Sequence, residues 1–413
     1  MKLEIQSDRG DSGGSLRHSA LILDFCRAPC GQTARRLIDF FRATDKRELV
    51  ADLARALARS GKRLSFGARS ADIASTGGPS SLSTLLCPLF LVVAGFSVPK
   101  LGLQGRPAGG VDVMAQIPGF DISPSPQEVL GIIGRCGFAH FLADKTYAPL
   151  DQSLFRFRQE LGAQAVPSLV VASILAKKLA VGVETAGLEV RVFPGGNFGE
   201  NKQSAIKNAR LFVKVAACLH IQATCFVTDC TVPYQPFIGR GEAILGLHQL
   251  FYGKPSRWVM RHAAQCWGFV GKMCRAGDDP KQLAEVLQQA RQVFEQHLVA
   301  HGASPASLPA LVSGLDQQHR HVVTSPGDGF VMYRLGRIRD FIVKQQRASP
   351  ADRFPDPTGI ELLKPPGDRV VRGEPVLKIR VATPSEPPPM EGELFSIAPA
   401  PAMPFAEHVI KAT

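Results

Sequence analysis

Residues 70–84, SADIASTGGPSSLST, are dense in glycine, serine and threonine. They lead directly into an apolar helix predicted over 85–94. Glycines let a backbone approach an anion closely, hydroxyl groups donate hydrogen bonds, and a helix amino terminus carries about half a positive charge. The stretch therefore fits a phosphate cradle. It lacks the GK[ST] ending of a P-loop, and an ordinary loop is the alternative.

Strands and helices alternate outward from this stretch. In the helix predicted over 45–60, Leu49, Leu53 and Leu57 fall on one face. Other predicted helices cover 33–43, 126–136, 152–161, 168–181, 202–219 and 281–300, and predicted strands cover 138–142, 188–193 and 223–228. Alternation of this kind predicts an α/β architecture with a mostly parallel sheet.

Length and composition indicate a folded, globular protein. A chain of 413 residues suggests two or three folded units, and 45% hydrophobic with 20% charged residues excludes general disorder. The amino-terminal residues lack the apolar core of a secretory signal. The most apolar stretch, 85–98, is too short for a bilayer of about 30 Å. We therefore expect a cytoplasmic protein that does not enter a membrane.

Cysteine usage and charge exclude further classes. The nine cysteines form no CxxC pair, so reduced thiols are expected rather than disulfides, a zinc site or another metal site. The net charge of +12 allows an anionic partner. Because lysine and arginine are spread along the chain without an aromatic-interleaved stripe, nucleic-acid binding is not expected.

Two further motifs are candidates for ligand binding. Ser173 and Lys177 stand four residues apart on a predicted helix and share a face, which Arg158 from the preceding helix can join. Alternatively, Lys177 and Lys178 are a solvated pair on the surface. The turn 194–199, PGGNFG, follows a predicted strand at the sheet end where open α/β folds bind ligands, unless it is a plain connection.

Taken together, these motifs resemble the thymidine phosphorylase and pyrimidine-nucleoside phosphorylase family. The similarity extends over about residues 45–382. The SILAKK motif of the family is unchanged, and its DKHSTGG motif is altered to DIASTGG. The matching segments are 72–78, 109–110, 117–122, 173–178, 192–198, 325–331 and 367–375.

The resemblance implies a domain organisation. A small helical domain comprises 16–64 and 152–182, and a larger α/β domain comprises 65–151 and 183–324. A C-terminal α+β domain follows over 325–382. Residues 383–413 are rich in proline and are predicted to form an extended tail. Family members form homodimers, so a homodimer is expected here.

The resemblance also implies a reaction and a base-binding site. Members of the family split a pyrimidine nucleoside with inorganic phosphate as co-substrate, without another cofactor. The residues that hold the base correspond to Arg158, Ser173 and Lys177. Phe155 replaces a family tyrosine, and Phe198 is a second expected residue of the substrate pocket.

The phosphate half of the family site is largely rewritten in this sequence. Ile73 and Ala74 replace the lysine and histidine of DKHSTGG, and neither can supply charge to phosphate or donate a proton. Gly102 and Val111 stand near the positions of family serine and threonine ligands. The glutamate that holds a monovalent cation in some members is displaced by one residue, at Glu242.

Some anion-binding groups remain. Ser75, Thr76 and Ser83 are the hydroxyl groups expected on the phosphate side. Lys100 and Arg106 are additional cations in the same region and could form a compensating anion clamp. Solvated loop charges are the alternative for these two residues.

Three functions therefore stay open. The first is a pentosyltransferase that cleaves a pyrimidine-type nucleoside with phosphate or another acceptor. The second is a non-catalytic homologue that binds a nucleoside or base as a sensor or partner protein. The third is a nucleic-acid-binding protein that reuses the fold, for which affinity should fall steeply with salt.

Overall fold

The computed structural model describes residues 14–66, 69–77, 82–105, 107, 109–194, 196–274, 282–348, 356–381, 393–402 and 404–411. The helices in these ranges are α1 Gly14–Arg27, α2 Gly31–Arg42, α3 Arg47–Ala58, α4 Leu82–Val93, α5 Gly110–Met114, α6 Pro126–Cys136, α7 Pro149–Glu160, α8 Pro167–Ala180, α9 Lys202–Cys218, α10 Arg240–Tyr252, α11 Arg257–Met273, α12 Leu283–Ala300, α13 Ser307–Asp316 and α14 Leu335–Ala348. The strands are β1 Ala71–Ser75, β2 Val98–Gly102, β3 Phe138–Leu142, β4 Thr185–Val192, β5 Gln222–Asp229, β6 Phe237–Ile238, β7 His319–Thr324, β8 Gly329–Tyr333, β9 Thr358–Leu362, β10 Arg369–Val370, β11 Pro375–Val381, β12 Phe395–Ala398 and β13 His408–Lys411. Within these ranges, every helix is too short or too polar to cross a bilayer.

Parallel strands form the centre of the fold. β4 pairs in parallel with both β1 and β5, and β2 pairs in parallel with β3. A bridge between Ser70 and Ser97 joins the two groups. Every residue of β4 is buried, as in strands that are covered by helices on both faces. The predicted α/β class with a mostly parallel sheet is confirmed.

The helices predicted near the amino terminus form as α2 and α3. α2 buries Ala34, Leu37, Ile38 and Phe41, which recur at the spacing of one helical face. α3 packs against α8 and α9, and one apolar core continues from these helices to the central sheet. The proposed boundaries between the helical and α/β domains stay a prediction.

Most of the chain after α13 forms an α+β unit together with β6, in agreement with the predicted fold class. β6, β9, β11 and β7 form one antiparallel sheet, and β10, β8 and β12 form a smaller one. α14 packs against β9. Ile338, Ile360 and Ile379 are fully buried in its apolar core.

The prediction of an extended tail over 383–413 is wrong for its described strands. β12 pairs with β8, and β13 pairs with β5 as an antiparallel strand added to the central sheet. A sheet edge presents unpaired backbone groups that a later segment can satisfy. Proline content dominated the sequence pattern, but β12 and β13 contain no proline and are free to pair.

Candidate active site

A cavity of about 400 Å³ lies between the carboxyl ends of the parallel strands and the helices α7 and α8. β1, β2, β3 and β4 all contribute residues to it, at the edge where open α/β folds bind ligands. Polar and charged side chains in its wall include Asp72, Ser75, Thr76, Thr84, Lys100, His140, Arg158, Ser173, Lys177, Lys178, Arg191, Asn197 and Arg339.

The three residues expected to bind a base meet in this cavity. Lys177 Nζ donates to Ser173 Oγ at 2.9 Å and to the Ser173 carbonyl at 2.7 Å, as their four-residue spacing on α8 allows. It also donates to Asp151 Oδ2 at 2.7 Å. Lys177 and Lys178 are both buried, so the alternative of a solvated lysine pair is wrong.

Arg158 connects the cavity to the turn between α7 and α8. Its guanidinium donates to the carbonyls of Ala163, Gln164 and Leu169 at 3.3, 2.8 and 3.3 Å. Phe155 lies one turn earlier on α7 and also lines the cavity. Arg158 therefore both lines the cavity and fixes the shape of its wall.

On the opposite wall, Ser75 pairs with Thr84, which was not among the predicted site residues. Ser75 Oγ lies 3.1 Å from Thr84 Oγ1, and both residues line the cavity. Thr76 lies beside them, and its hydroxyl oxygen accepts a hydrogen bond from the backbone amide of Arg191 at 3.0 Å. The signal for Thr84 was present, since it closes the hydroxyl-rich stretch at the start of α4.

Ser83 does not line the cavity with Ser75. Its hydroxyl donates to Glu189 Oε2 at 2.7 Å and accepts from Arg191 Nη2 at 2.8 Å. Arg191 also donates to Glu189 at 2.9 Å, and all three side chains are buried. Sequence reasoning missed this pair, although two charges inside the apolar strand β4 were a signal that they satisfy each other.

Phe198 is not a residue of the pocket wall either. It is fully buried in the apolar core, whereas Phe193 and Asn197 line the cavity. The turn after β4 contributes Asn197 to the cavity wall, and the aromatic residue that it adds is Phe193, directly after the last residue of the strand. Arg106 lies outside the described residues.

Lys100 is a buried cation of the cavity wall. Its ammonium donates to Asp72 Oδ1 at 2.8 Å and to the Ile73 carbonyl at 2.6 Å, while Lys178 binds the other oxygen of Asp72. Burial would raise the pKa of Asp72, but the ammonium groups of Lys100 and Lys178 outweigh it and lower that pKa to about 2. A solvated loop charge is therefore the wrong description of Lys100.

The residues at which this sequence differs from the phosphate-binding motifs of the similar family lie in two environments. Ala74, Gly102 and Val111 line the cavity with small or apolar surfaces. Ile73 instead belongs to the apolar core on the other face of β1, where its Cγ1 lies 2.6 Å from the place of a Cβ on Gly187. Charge reaches this end of the cavity from β2 instead, through Lys100.

The cavity carries an excess of positive charge. Six cationic side chains from the described residues line it, namely Lys100, Arg158, Lys177, Lys178, Arg191 and Arg339. Four carboxylates neutralise part of this charge, through the buried ion pairs of Asp72, Asp151 and Glu189 and the exposed pair of Asp340 with Arg339. The remaining positive charge favours an anionic ligand.

Glu242 belongs to a separate buried ion cluster. Arg380 donates to its two carboxylate oxygens at 2.7 and 3.0 Å and also pairs with Asp356 at 3.4 Å. Among the described residues, no group of three or more His, Cys, Asp or Glu side chains could hold a metal ion. In this chain the guanidinium supplies the positive charge next to Glu242.

Asp356 is expected to make stability depend on pH. Burial raises its pKa to about 6, despite Arg380, which it shares with Glu242. Because the folded pKa lies above the ordinary 3.8, the stabilising contribution is complete below about pH 4 and is lost as pH rises through 6. We expect the stability of the natural protein relative to Asp356→Asn to fall by about 2.5 kcal/mol between pH 4 and 7.5. Urea titrations at several pH values measure this difference, and a constant difference would contradict it.

Comparisons with known proteins agree with the resemblance that the motifs indicate. No protein-family model matches the chain. The chain is 27% identical to the thymidine phosphorylase of Sinorhizobium fredii over 371 residues, which cover 85% of this chain and 84% of that protein. It is 26% identical to the pyrimidine-nucleoside phosphorylase of Bacillus subtilis over 370 residues, or 82% and 81% of the two chains. These relatives confirm the resemblance, at the distance of a divergent homologue.

Solved structures give a weaker match. The anthranilate phosphoribosyltransferase of Saccharomyces cerevisiae is 16% identical, with a TM-score of 0.48, over 72% of this chain and 92% of that protein. A similarity of this size carries no argument about the site.

Proposed function

We propose that the protein transfers the pentosyl group of a pyrimidine-type nucleoside to phosphate or another oxyanion. The observation that carries this proposal is one shared cavity, in which Arg158, Ser173 and Lys177 stand across from hydroxyl groups and the buried Lys100. Similarity to proteins named thymidine phosphorylase and pyrimidine-nucleoside phosphorylase supports the class of reaction.

In the proposed reaction, the bond between the pentose C1′ and the base nitrogen breaks, and its electron pair leaves with the base. An oxyanion oxygen forms the new bond to C1′. Arg158 and Lys177 hold the polar edge of the base and stabilise the negative charge that develops on it, which a buried site does more effectively than water. Ser173 positions the ammonium of Lys177 through their hydrogen bonds.

The acceptor is proposed to enter on the sheet side of the cavity. The hydroxyl groups of Ser75 and Thr76 and the ammonium of Lys100 would hold it there. Ser83 receives no role, because its hydroxyl is engaged by Glu189 and Arg191. Organisation as a homodimer remains a prediction from the resemblance.

A base-binding protein without catalysis is the second candidate. The observation in its favour is that Ile73 and Ala74 bring no charge or proton donor to the sheet side, while the three base-side residues are all present. The two candidates differ in turnover rather than in binding of the base.

The test is to incubate the full chain with pyrimidine and purine nucleosides, with and without phosphate, and to separate the products by chromatography. We expect phosphate-dependent release of a pyrimidine base, at least tenfold slower in Ser173→Ala. Ser168→Ala is the matched control, since Ser168 also lies on α8 but donates to the Phe41 carbonyl outside the cavity. Base binding by calorimetry without any release favours the second candidate, and absence of both contradicts the two proposals.

A further inference from the structure

The cavity wall contains a histidine that no motif of the sequence analysis includes. His140 lies on β3, where it is the partner of Lys100 in the parallel ladder between β2 and β3. It lines the cavity, yet only 1% of the residue is exposed. Its imidazole is therefore enclosed by protein on most sides and is held next to the buried ammonium of Lys100.

The absence of a side chain on Gly110 makes room for this imidazole. A Cβ on Gly110 would overlap with His140 Cε1 and would stand 2.8 Å from the Thr84 methyl group, so any side chain there would displace one of them. Gly102 also lies next to the ring, since its Cβ position is 3.6 Å from His140 Nε2, which is an ordinary contact distance. The ring and Thr84 thus converge on the surface of Gly110, beside the Ser75 hydroxyl to which Thr84 is paired.

One ring nitrogen of His140 has no hydrogen-bond partner in the described part of the chain. This nitrogen is Nδ1, which is buried. The backbone amide of His140 donates to His301 Nε2 at 3.4 Å. An unsatisfied buried polar atom is costly, so a polar ligand in the adjoining cavity that supplied the missing partner would gain binding free energy. Burial, reinforced by the ammonium of Lys100, holds the pKa of His140 well below its usual 6.5.

We propose that His140 is a further ligand-contacting residue, whose imidazole binds a tetrahedral oxyanion together with Ser75, Thr84 and Lys100. This inference deepens the proposed function, because it names the site of the anionic acceptor. A neutral imidazole offers one N–H donor and one acceptor, which suits an oxyanion that still carries a proton. Lys100 and Lys178 share the single charge of Asp72, so positive charge remains to balance the anion.

The direct test is calorimetric titration of the full chain with inorganic phosphate, without nucleoside. We expect phosphate to bind at least tenfold more weakly to His140→Leu than to the natural protein. His140→Asn should recover part of the affinity, since its amide can donate from about the position of Nδ1. A circular dichroism melt of each variant establishes that it is folded.

His297→Leu is the matched control. His297 is equally buried, is stacked on Phe138 at 4.0 Å and also has an unsatisfied ring nitrogen, but it does not line the cavity. It should lose stability and keep its phosphate affinity. Equal phosphate affinity in His140→Leu and the natural protein would overturn the inference, and so would a natural protein that binds no phosphate. Phosphate binding that depends on His140 without any release of base would support the inference while contradicting the pentosyltransferase proposal.

Discussion

Lys177→Met is expected to abolish release of the base and to lower the free energy of unfolding by about 3–5 kcal/mol. The second effect follows because Lys177 is the ion-pair partner of Asp151, whose side chain is 2% exposed and whose Oδ1 has no hydrogen-bond partner among the described residues. Removal of one member of a buried ion pair leaves an uncompensated charge, and losses of this size are typical. Urea unfolding and the chromatographic assay measure the two effects separately.

The double variant Lys177→Met with Asp151→Asn distinguishes stability from function. It removes both charges together, so most of the lost stability should return. Release of the base should not return, because the ammonium that faces the cavity is still missing. Recovery of activity along with stability would contradict the proposed role of Lys177 at the base.

Asp72→Asn is expected to lower the free energy of unfolding by about 3–5 kcal/mol at pH 7. This substitution leaves the ammonium groups of Lys100 and Lys178 buried together without their shared carboxylate. Asp316→Asn is the control. The Asp316 carboxylate is exposed where it pairs with Arg320, so its removal should lower the free energy of unfolding by less than about 1 kcal/mol.

The loss in Asp72→Asn should depend on pH in a defined direction. The folded pKa of Asp72 is lowered from 3.8 to about 2. Its stabilising contribution is therefore complete above about pH 4 and is lost as pH falls towards 2. The part that titrates amounts to about 2 kcal/mol. If the natural protein and Asp72→Asn lose stability in parallel between pH 4 and 2, the assignment of this buried ion cluster is wrong.

Local patterns carried most of the information about secondary structure. The helix predicted over 45–60 forms as α3, and the strands predicted over 138–142, 188–193 and 223–228 form as β3, β4 and β5. Periodicity of apolar residues is a property of neighbouring positions, so it can be read without knowledge of the partner. The strands near the carboxyl terminus were missed because their pairing partners, β8 and β5, are distant in sequence.

The candidate site could be predicted only in part. The SILAKK motif on α8 placed Ser173 and Lys177 correctly, because four residues of helix determine a shared face. The choice between Ser83 and Thr84 could not be made from sequence. These neighbouring residues project in different directions at the start of α4, and only the position of β4 determines which one meets Glu189 and which one meets the cavity.

Local sequence was enough to predict the α/β class, the helix that carries Ser173 and Lys177, and the lack of charge at Ile73 and Ala74. Only the tertiary structure revealed that Lys100 and His140 bring polar groups to the same end of the cavity. The physical reason is that β2 and β3 are separated along the chain by α5 and α6 but pair side by side in the sheet. Parallel pairing aligns Lys100 with His140, and the burial and charge of that site arise from the alignment.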